Sequence, residues 1–162
     1  MSNDTTIQKL LQALPQTGRI EWIGVRPGRR TKMQLVQHAE LNIRGIAGDR
    51  YNGSSGKRAV TLIQAEHLPA IASMLDREEI DPEILRRNIV IRGINLLALK
   101  NKLFLLGSAE LEMTGLCHPC SRMEEALGVG GYNAMRGHGG ITACVRLPGK
   151  IQIGDTLKVI PR

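Results

Sequence analysis

The apolar positions of this chain come in short runs separated by turn residues. Residues 4–14, DTTIQKLLQAL, put Ile7, Leu10, Leu11 and Leu14 at helical spacing. Asp4 or Thr5 can cap this helix, and PQTG ends it. Its apolar stripe predicts packing on the body of the protein. RIEWIGVRP alternates as a strand, with Ile20, Trp22 and Gly24 predicted on one face and Ile23 and Val25 toward the other. GRRTKMQLVQHAELN reads as a turn and a second extended stretch. GIAGDRYNGSSGKRAVTLIQ is a Gly-rich loop entering a strand at about residues 58–63. In AEHLPAIASML, Leu68, Ile71, Ala72 and Leu75 return to helical spacing, which places Pro69 in the first turn.

DPEILRR predicts a helix start with Asp81 as cap and Pro82 at the first position. NIVIRGINLLAL goes back to β-branched residues, and KLFLLGSAELEMTG gives two short strands around Gly107. SRMEEALG reads as a helix that stops at Gly128. GGITACVRLPGKIQIGDTLKVI predicts a closing hairpin that turns at Pro148-Gly149, then a last strand bent at Gly154-Asp155. Many short strands and few helices predict a mainly β fold, a closed or nearly closed barrel with a few peripheral helices. No repeat or linker interrupts the 162 residues, so they read as one domain, with 1–18 as a helical extension and a core at about 20–160.

Composition narrows this. The aromatics are Trp22, Tyr51, Phe104 and Tyr132, so the core must be aliphatic. The net charge of +7 favours an anionic partner, although a basic surface can serve solubility alone. Scarce aromatics argue against single-stranded nucleic acid, whose bases stack on rings. The polar start, MSNDTTIQKL, does not read as a signal peptide. No apolar stretch approaches the ~18 residues of a membrane span. Three cysteines do not make a disulfide framework, and the simplest location is the cytoplasm.

The chemistry concentrates in TGLCHPCSR, residues 114–122. Cys117 and Cys120 have the spacing of half a zinc site, but the second half is missing, and no zinc is expected. A redox dithiol would sit between a strand and a helix, as here, but within βαβ alternation that this chain lacks. A third reading is one activated thiol: Cys120 at the start of the SRMEEALG helix, with Arg122 adding positive charge and Pro119 restricting the backbone. Both cysteines can also be ordinary buried thiols, the reading that suits Cys144 between the apolar residues of ITACVRL. Asp49 and Arg50 of GIAGDRY, Arg86, Arg87 and Asn88 of LRRNIVI, and His138 of RGHGG are further candidates, each with a plain structural alternative.

GIAGDRY, AVTLIQAEHL, LRRNIVIRGINL, FLLGSAELEMTGLCHPCSRME, RGHGGITACV and IQIGD follow one another in register. Together they resemble the MOSC domain, the C-terminal part of molybdenum cofactor sulfurases that also occurs as short stand-alone proteins. The resemblance implies a β-barrel of the pyruvate-kinase-barrel type and handling of the molybdenum cofactor. Two activities are associated with such domains: sulfur transfer through a cysteine persulfide, and molybdenum-dependent reduction of N-hydroxylated compounds. A non-enzymatic binding or delivery module is the alternative.

The family cysteine corresponds to Cys120, the implied molybdenum ligand or persulfide carrier. In the amidoxime-reducing relatives an Arg-Pro-Asn-Ile-Val-Ile stretch contacts the cofactor. RRNIVI matches it through Arg86 and Asn88, with Arg87 in place of Pro. Arg50 of the GDR signature and His138 of the Gly-rich region are further implied contacts, as are Thr114, Ser121 and Arg122 around the cysteine. Arg86, Arg50 or Arg122 would hold the pterin phosphate. The chain is too short to add flavin, iron–sulfur or pyridoxal-phosphate domains, so a separate donor must supply electrons or sulfur to act on a small-molecule substrate. The sequence leaves the oligomeric state open, and neither a nucleic acid nor a membrane is an expected partner.

Overall fold

The computed structural model describes residues 3–50 and 55–161, with side chains from residue 6 onward. The side chains of the predicted cap, Asp4 or Thr5, and part of the Gly-rich loop (51–54) lie outside what is described, and α1 already includes Asp4 and Thr5. In chain order the elements are α1 (Asn3–Gln12), β1 (Gly18–Val25), β2 (Gln34–Leu35), β3 (His38–Asn42), β4 (Gly45–Ile46), β5 (Val60–Gln64), α2 (His67–Met74), a 3-10 turn (Pro82–Leu85), β6 (Ile89–Arg92), a second 3-10 turn (Leu96–Leu99), β7 (Leu103–Leu106), β8 (Ala109–Leu116), α3 (Ser121–Leu127), α4 (Gly131–Met135), β9 (Ile141–Leu147), β10 (Gly149–Gln152) and β11 (Thr156–Val159).

Seven strands close into a barrel in the order β11-β7-β8-β9-β5-β6-β1, with β1 pairing back onto β11. All barrel pairs are antiparallel except β5 and β6, which run parallel. Parallel neighbours need a crossover, here α2 and the first 3-10 turn. The chain therefore does contain one βαβ unit, which the short strand spacing hid. The 3-10 turn starts as expected: the Asp81 carboxylate accepts from the Glu83 N–H at 3.1 Å, with Pro82 at the first position.

Two cores explain the strand sequences. Leu62, Ile89 and Ile91 join Ile20, Ile23, Phe104, Leu111 and Ile141 inside the barrel. Ile63 and Val90, one residue out of phase, face the opposite way and meet Ile71, Leu85, Met123, Leu127 and Met135. Strands β5 and β6 are thus covered on both faces, and their runs are almost continuously apolar. The second core anchors α2, α3 and α4 to the outer wall, which fixes the position of the segment leading into α3.

Several expectations change. The pairing of β1 with β6 shifts between Ile20 and Trp22, so Ile20, Ile23 and Val25 all face the barrel core while Trp22 packs with the helical layer. Strand β10 does not form a hairpin with β9. It joins β3 and β4 in a small second sheet, with Gly149 opposite Leu41 and Gln152 opposite His38. The chain bends back at Gly154, and β11 then closes the barrel. Helix α1 leaves its stripe in solvent, with Ile7, Leu10 and Leu11 at 55%, 68% and 64% exposure; Leu14 beyond it packs on the core.

Candidate functional site

Strand β8 runs directly into residues 117–120, and Cys120 caps α3 in extended conformation (φ −127°, ψ 180°). The chain makes no turn or bend from Cys117 to Cys120. The surroundings separate the two cysteines: Cys117 is 3% exposed, and Cys120 is open to solvent.

Cys117 is fixed by backbone. Its N–H donates to the Gly140 carbonyl at 2.9 Å. Its own carbonyl accepts from Arg87 Nη2 at 3.1 Å. The buried Arg87 guanidinium also donates through Nε to Gly139 O at 2.7 Å and through Nη1 to Leu85 O at 3.0 Å. One side chain thereby ties the end of β8, the loop before β9 and the turn before β6. Burial pushes the Arg87 pKa down, and nearby Arg58 acts the same way, while Cys117 and Cys120 push it up. Arg58 Nη2 lies 3.9 Å from Cys117 Sγ. The last two glycines of RGHGG are a steric requirement here. A Cβ on Gly139 would lie 2.1 Å from the Cys117 carbonyl oxygen, and one on Gly140 2.0 Å from that of Leu62.

A second group of cations lies beyond the end of β1. The Arg26 N–H donates to Asp49 Oδ1 at 2.8 Å, and the Arg50 N–H donates to the Arg26 carbonyl at 2.7 Å. The GDR signature is therefore a clip that holds Arg50 beside Arg26. Burial lowers the Arg26 pKa, Asp49 opposes this, and Arg50 and Arg122 add to the lowering, so three arginines share one electrostatic neighbourhood.

The outer barrel wall carries a polar row across β8, β9 and β5 to Asn88, just before β6. Thr114 and Thr142 share a 2.8 Å hydroxyl contact, Thr61 pairs with Thr142 across β5 and β9, and Thr61 Oγ1 donates to Asn88 Oδ1 at 3.0 Å. The Thr114 hydroxyl also donates to the Lys57 carbonyl. The Asn88 amide donates to Gly24 O at 3.2 Å, which stitches β6 to β1. Two concavities flank the segment. One of about 640 Å³ lies over Cys117, His118 and Pro119, walled by Leu97, Leu116, Tyr132 and Arg136. The other, of about 860 Å³, is lined by Thr114 and by neither Cys117 nor Cys120.

The structure thus gathers Arg50 and Arg122 into one electrostatic group and puts Cys120 and the exposed Ser121 beside it at the start of α3. Thr114 and Asn88 sit in the outer wall, with their side chains engaged by neighbouring strands. Arg86 is half-buried at the end of the 3-10 turn, with φ at 61°. His138 packs its ring edge-on against His67, with centroids 5.0 Å apart, and each buried Nδ1 lacks a hydrogen-bond partner among the described residues. Sequence reasoning passed over Arg26 and Arg58. Each stands next to a strand end, Arg26 after β1 and Arg58 before β5, and that position was the available signal. Cys144 is not a core residue: it lies half-buried on the outer face of β9, because its apolar neighbours Ala143 and Val145 point inward.

The sequence profile of the MOSC domain matches residues 36–158. The chain belongs to the MOSC domain family. Solved structures agree on the fold. The YuaD protein of Bacillus subtilis superposes with a TM-score of 0.78 at 20% identity, over 90% of this chain and 97% of that one. YiiM of Escherichia coli gives 0.69 at 18% identity, over 89% and 70%. YiiM of Geobacillus stearothermophilus gives 0.75 at 16% identity, over 90% and 76%. No curated protein matches. The family is associated with the molybdenum cofactor, and the closed barrel is the MOSC-type barrel. Among the described residues no helix is long and apolar enough to cross a membrane.

Proposed function

We propose that this MOSC protein handles the molybdenum cofactor at the arginine-rich face beside Cys120, and that Cys120 carries sulfane sulfur as a persulfide. The exposure of Cys120, three residues from a buried and braced Cys117, carries the reading. A carrier thiol must reach both a donor and an acceptor. The residues present fit the cofactor by donor chemistry: a thiolate is a soft partner for molybdenum, and guanidinium groups suit a phosphate. Arg50 and Arg122 would hold the pterin phosphate and Cys120 would face the metal. When bound, the cofactor would supply oxygen- or sulfur-atom exchange at its metal.

The step belonging to this chain is a displacement. The Cys120 thiolate attacks the outer sulfur of a donor persulfide, a new S–S bond forms on Cys120, and the donor leaves as its thiolate. The outer sulfur keeps its oxidation level, so no oxidant is required. The donor is a separate protein, and the cytoplasm is the compartment that keeps the thiol reduced.

The test is to incubate cofactor-free protein with a cysteine desulfurase and cysteine, then read the intact mass. Wild type and Cys117→Ser should gain one sulfur atom and Cys120→Ser none. No gain, or a gain mapped to another cysteine, would overturn the proposal. Molybdenum-dependent reduction is the second reading, favoured by the rigid Arg87 brace, which a simple carrier does not need. Protein from a cofactor-competent host that retains molybdenum and pterin, and loses turnover of an N-hydroxylated base in Cys120→Ser, would support it. Cofactor retention that survives Cys120→Ser with no turnover would indicate a delivery module instead.

A further inference from the structure

The larger concavity lies on the outer face of β8 and β9. Its walls carry Arg44 from the turn between β3 and β4, Lys57 from the segment before β5, and Arg146 from β9. Three cations from three chain segments thus face one cleft of about 860 Å³, within the usual range for small-molecule sites. The opposing carboxylate is Glu112, which is taken by Arg146 at 2.7 Å. Among the described residues, neither Arg44 nor Lys57 forms an ion pair. Uncompensated like charge around a concavity raises the local concentration of anions. Ile43, 63% exposed, adds apolar surface to the wall. The Cys144 thiol also lines the cleft, and its residue is paired with Glu112 across the sheet.

We propose that this cleft binds a small organic anion, a phosphate or carboxylate bearing an apolar body, held by Arg44 and Lys57 over the Cys144 thiol. Neither Cys117 nor Cys120 lines it, so the site does not depend on the role assigned to Cys120. The anion has two sources: a free small molecule, or the phosphate-bearing end of the pterin cofactor, which would then sit on Arg44 and Lys57 in place of Arg50 and Arg122.

Cys144 supplies its own reporter. In the Cys117→Ser/Cys120→Ser variant it is the sole thiol of the chain. Its reaction is followed with dithiobis(nitrobenzoate), an aromatic disulfide bearing two carboxylates, and with neutral dithiodipyridine, each rate normalised to that of free cysteine. The thiolate attacks one sulfur, the reagent S–S bond breaks, and one aromatic thiolate leaves. The anionic reagent should be favoured about tenfold, an advantage that falls with salt. Arg44→Glu and Lys57→Glu should each cut the advantage several-fold, and nitrophenyl phosphate should slow the anionic reagent.

Equal normalised rates, unchanged by either charge reversal, would overturn the proposal. Mapping the modification of Cys144 in wild-type protein gives the same answer if the double variant does not fold. In wild type prepared with and without the pterin, protection of Cys144 by the pterin assigns the anion to the cofactor. Unchanged reactivity, with nitrophenyl phosphate still competing, assigns it to a free ligand. Both outcomes support the cleft as an anion site.

Discussion

Cys117 and Cys120 stand three residues apart in opposite surroundings. Cys117 is buried, its N–H and carbonyl are both bonded, and an arginine lies against its sulfur. Cys120 is exposed and begins a helix. The difference shows how the fold gives two sulfurs of one short segment opposite environments. Cys117 docks the segment on the barrel, and this docking leaves Cys120 presented at a fixed place without being buried itself. A C-x-x-C spelling suggests two equivalent sulfurs, and the structure puts them in different surroundings.

The strongest way to break this arrangement is to push the RGHGG loop away. Gly140→Ala combines a φ of +86° with a Cβ 2.0 Å from backbone, so neither rotation nor a side-chain shift relieves it. We expect a loss of about 4 kcal/mol or more in urea unfolding, or failure to fold. A well-folded Gly140→Ala protein with wild-type stability would mean that the loop does not press on β5. Arg87→Met comes next. It removes the donors of three carbonyls while keeping much of the apolar volume, and should cost roughly 3 kcal/mol. Because the brace ends at Cys117, the amide of Cys117 should also lose hydrogen-exchange protection, and that of a barrel residue such as Leu111 should lose far less.

The cysteines themselves then give opposite signatures. Cys117→Ser places a hydroxyl in a buried thiol site and should cost about 1–2 kcal/mol while sparing sulfur loading. Cys120→Ser is a surface change worth no more than about 0.5 kcal/mol and should abolish loading. Equal loss of loading in both variants would restore the dithiol reading.

How far this comparison was legible in the sequence depends on the range of the contacts. Local signals read well: Asp81-Pro82 opens a turn, Gly107 joins two strands, and Gly128 ends α3. The place of Cys120 at the start of α3 also came from its immediate neighbours. The brace was not legible, because Arg87 meets Cys117 and Gly139 across 30 and 52 residues. In sequence it was a candidate at an element end and a departure from a Pro, with no sign of those partners. The pairing of β10 with β3 was hidden for the same reason, and the Pro148-Gly149 turn misleadingly pointed to a hairpin. Cys144 failed differently. Its flanking apolar residues suggested a core position, but alternation along a strand sends neighbours to opposite faces, so an apolar pair around Cys144 predicts an outward thiol. The bulge between Ile20 and Trp22 is invisible to any fixed period.

The smallest expected effect concerns the loop that Arg87 holds. His138 precedes Gly139 and packs on His67 at the start of α2. Burial pushes the His67 pKa below its ordinary value, His138 adds to this, and Glu66 opposes it. The folded state therefore prefers neutral His67. As pH falls through about 6.5, the unfolded chain takes up a proton that the folded chain resists. The contribution of this contact is complete above the unfolded value and declines as the solution becomes more acidic. The urea midpoint should drop between about pH 7.5 and pH 5.5, and His67→Gln should flatten that part of the profile. The effect stays modest because His67 is only half-buried and solvent screens part of the interaction. A midpoint that falls equally in wild type and His67→Gln would trace the acid sensitivity to other groups and leave the loop at Cys117 indifferent to pH.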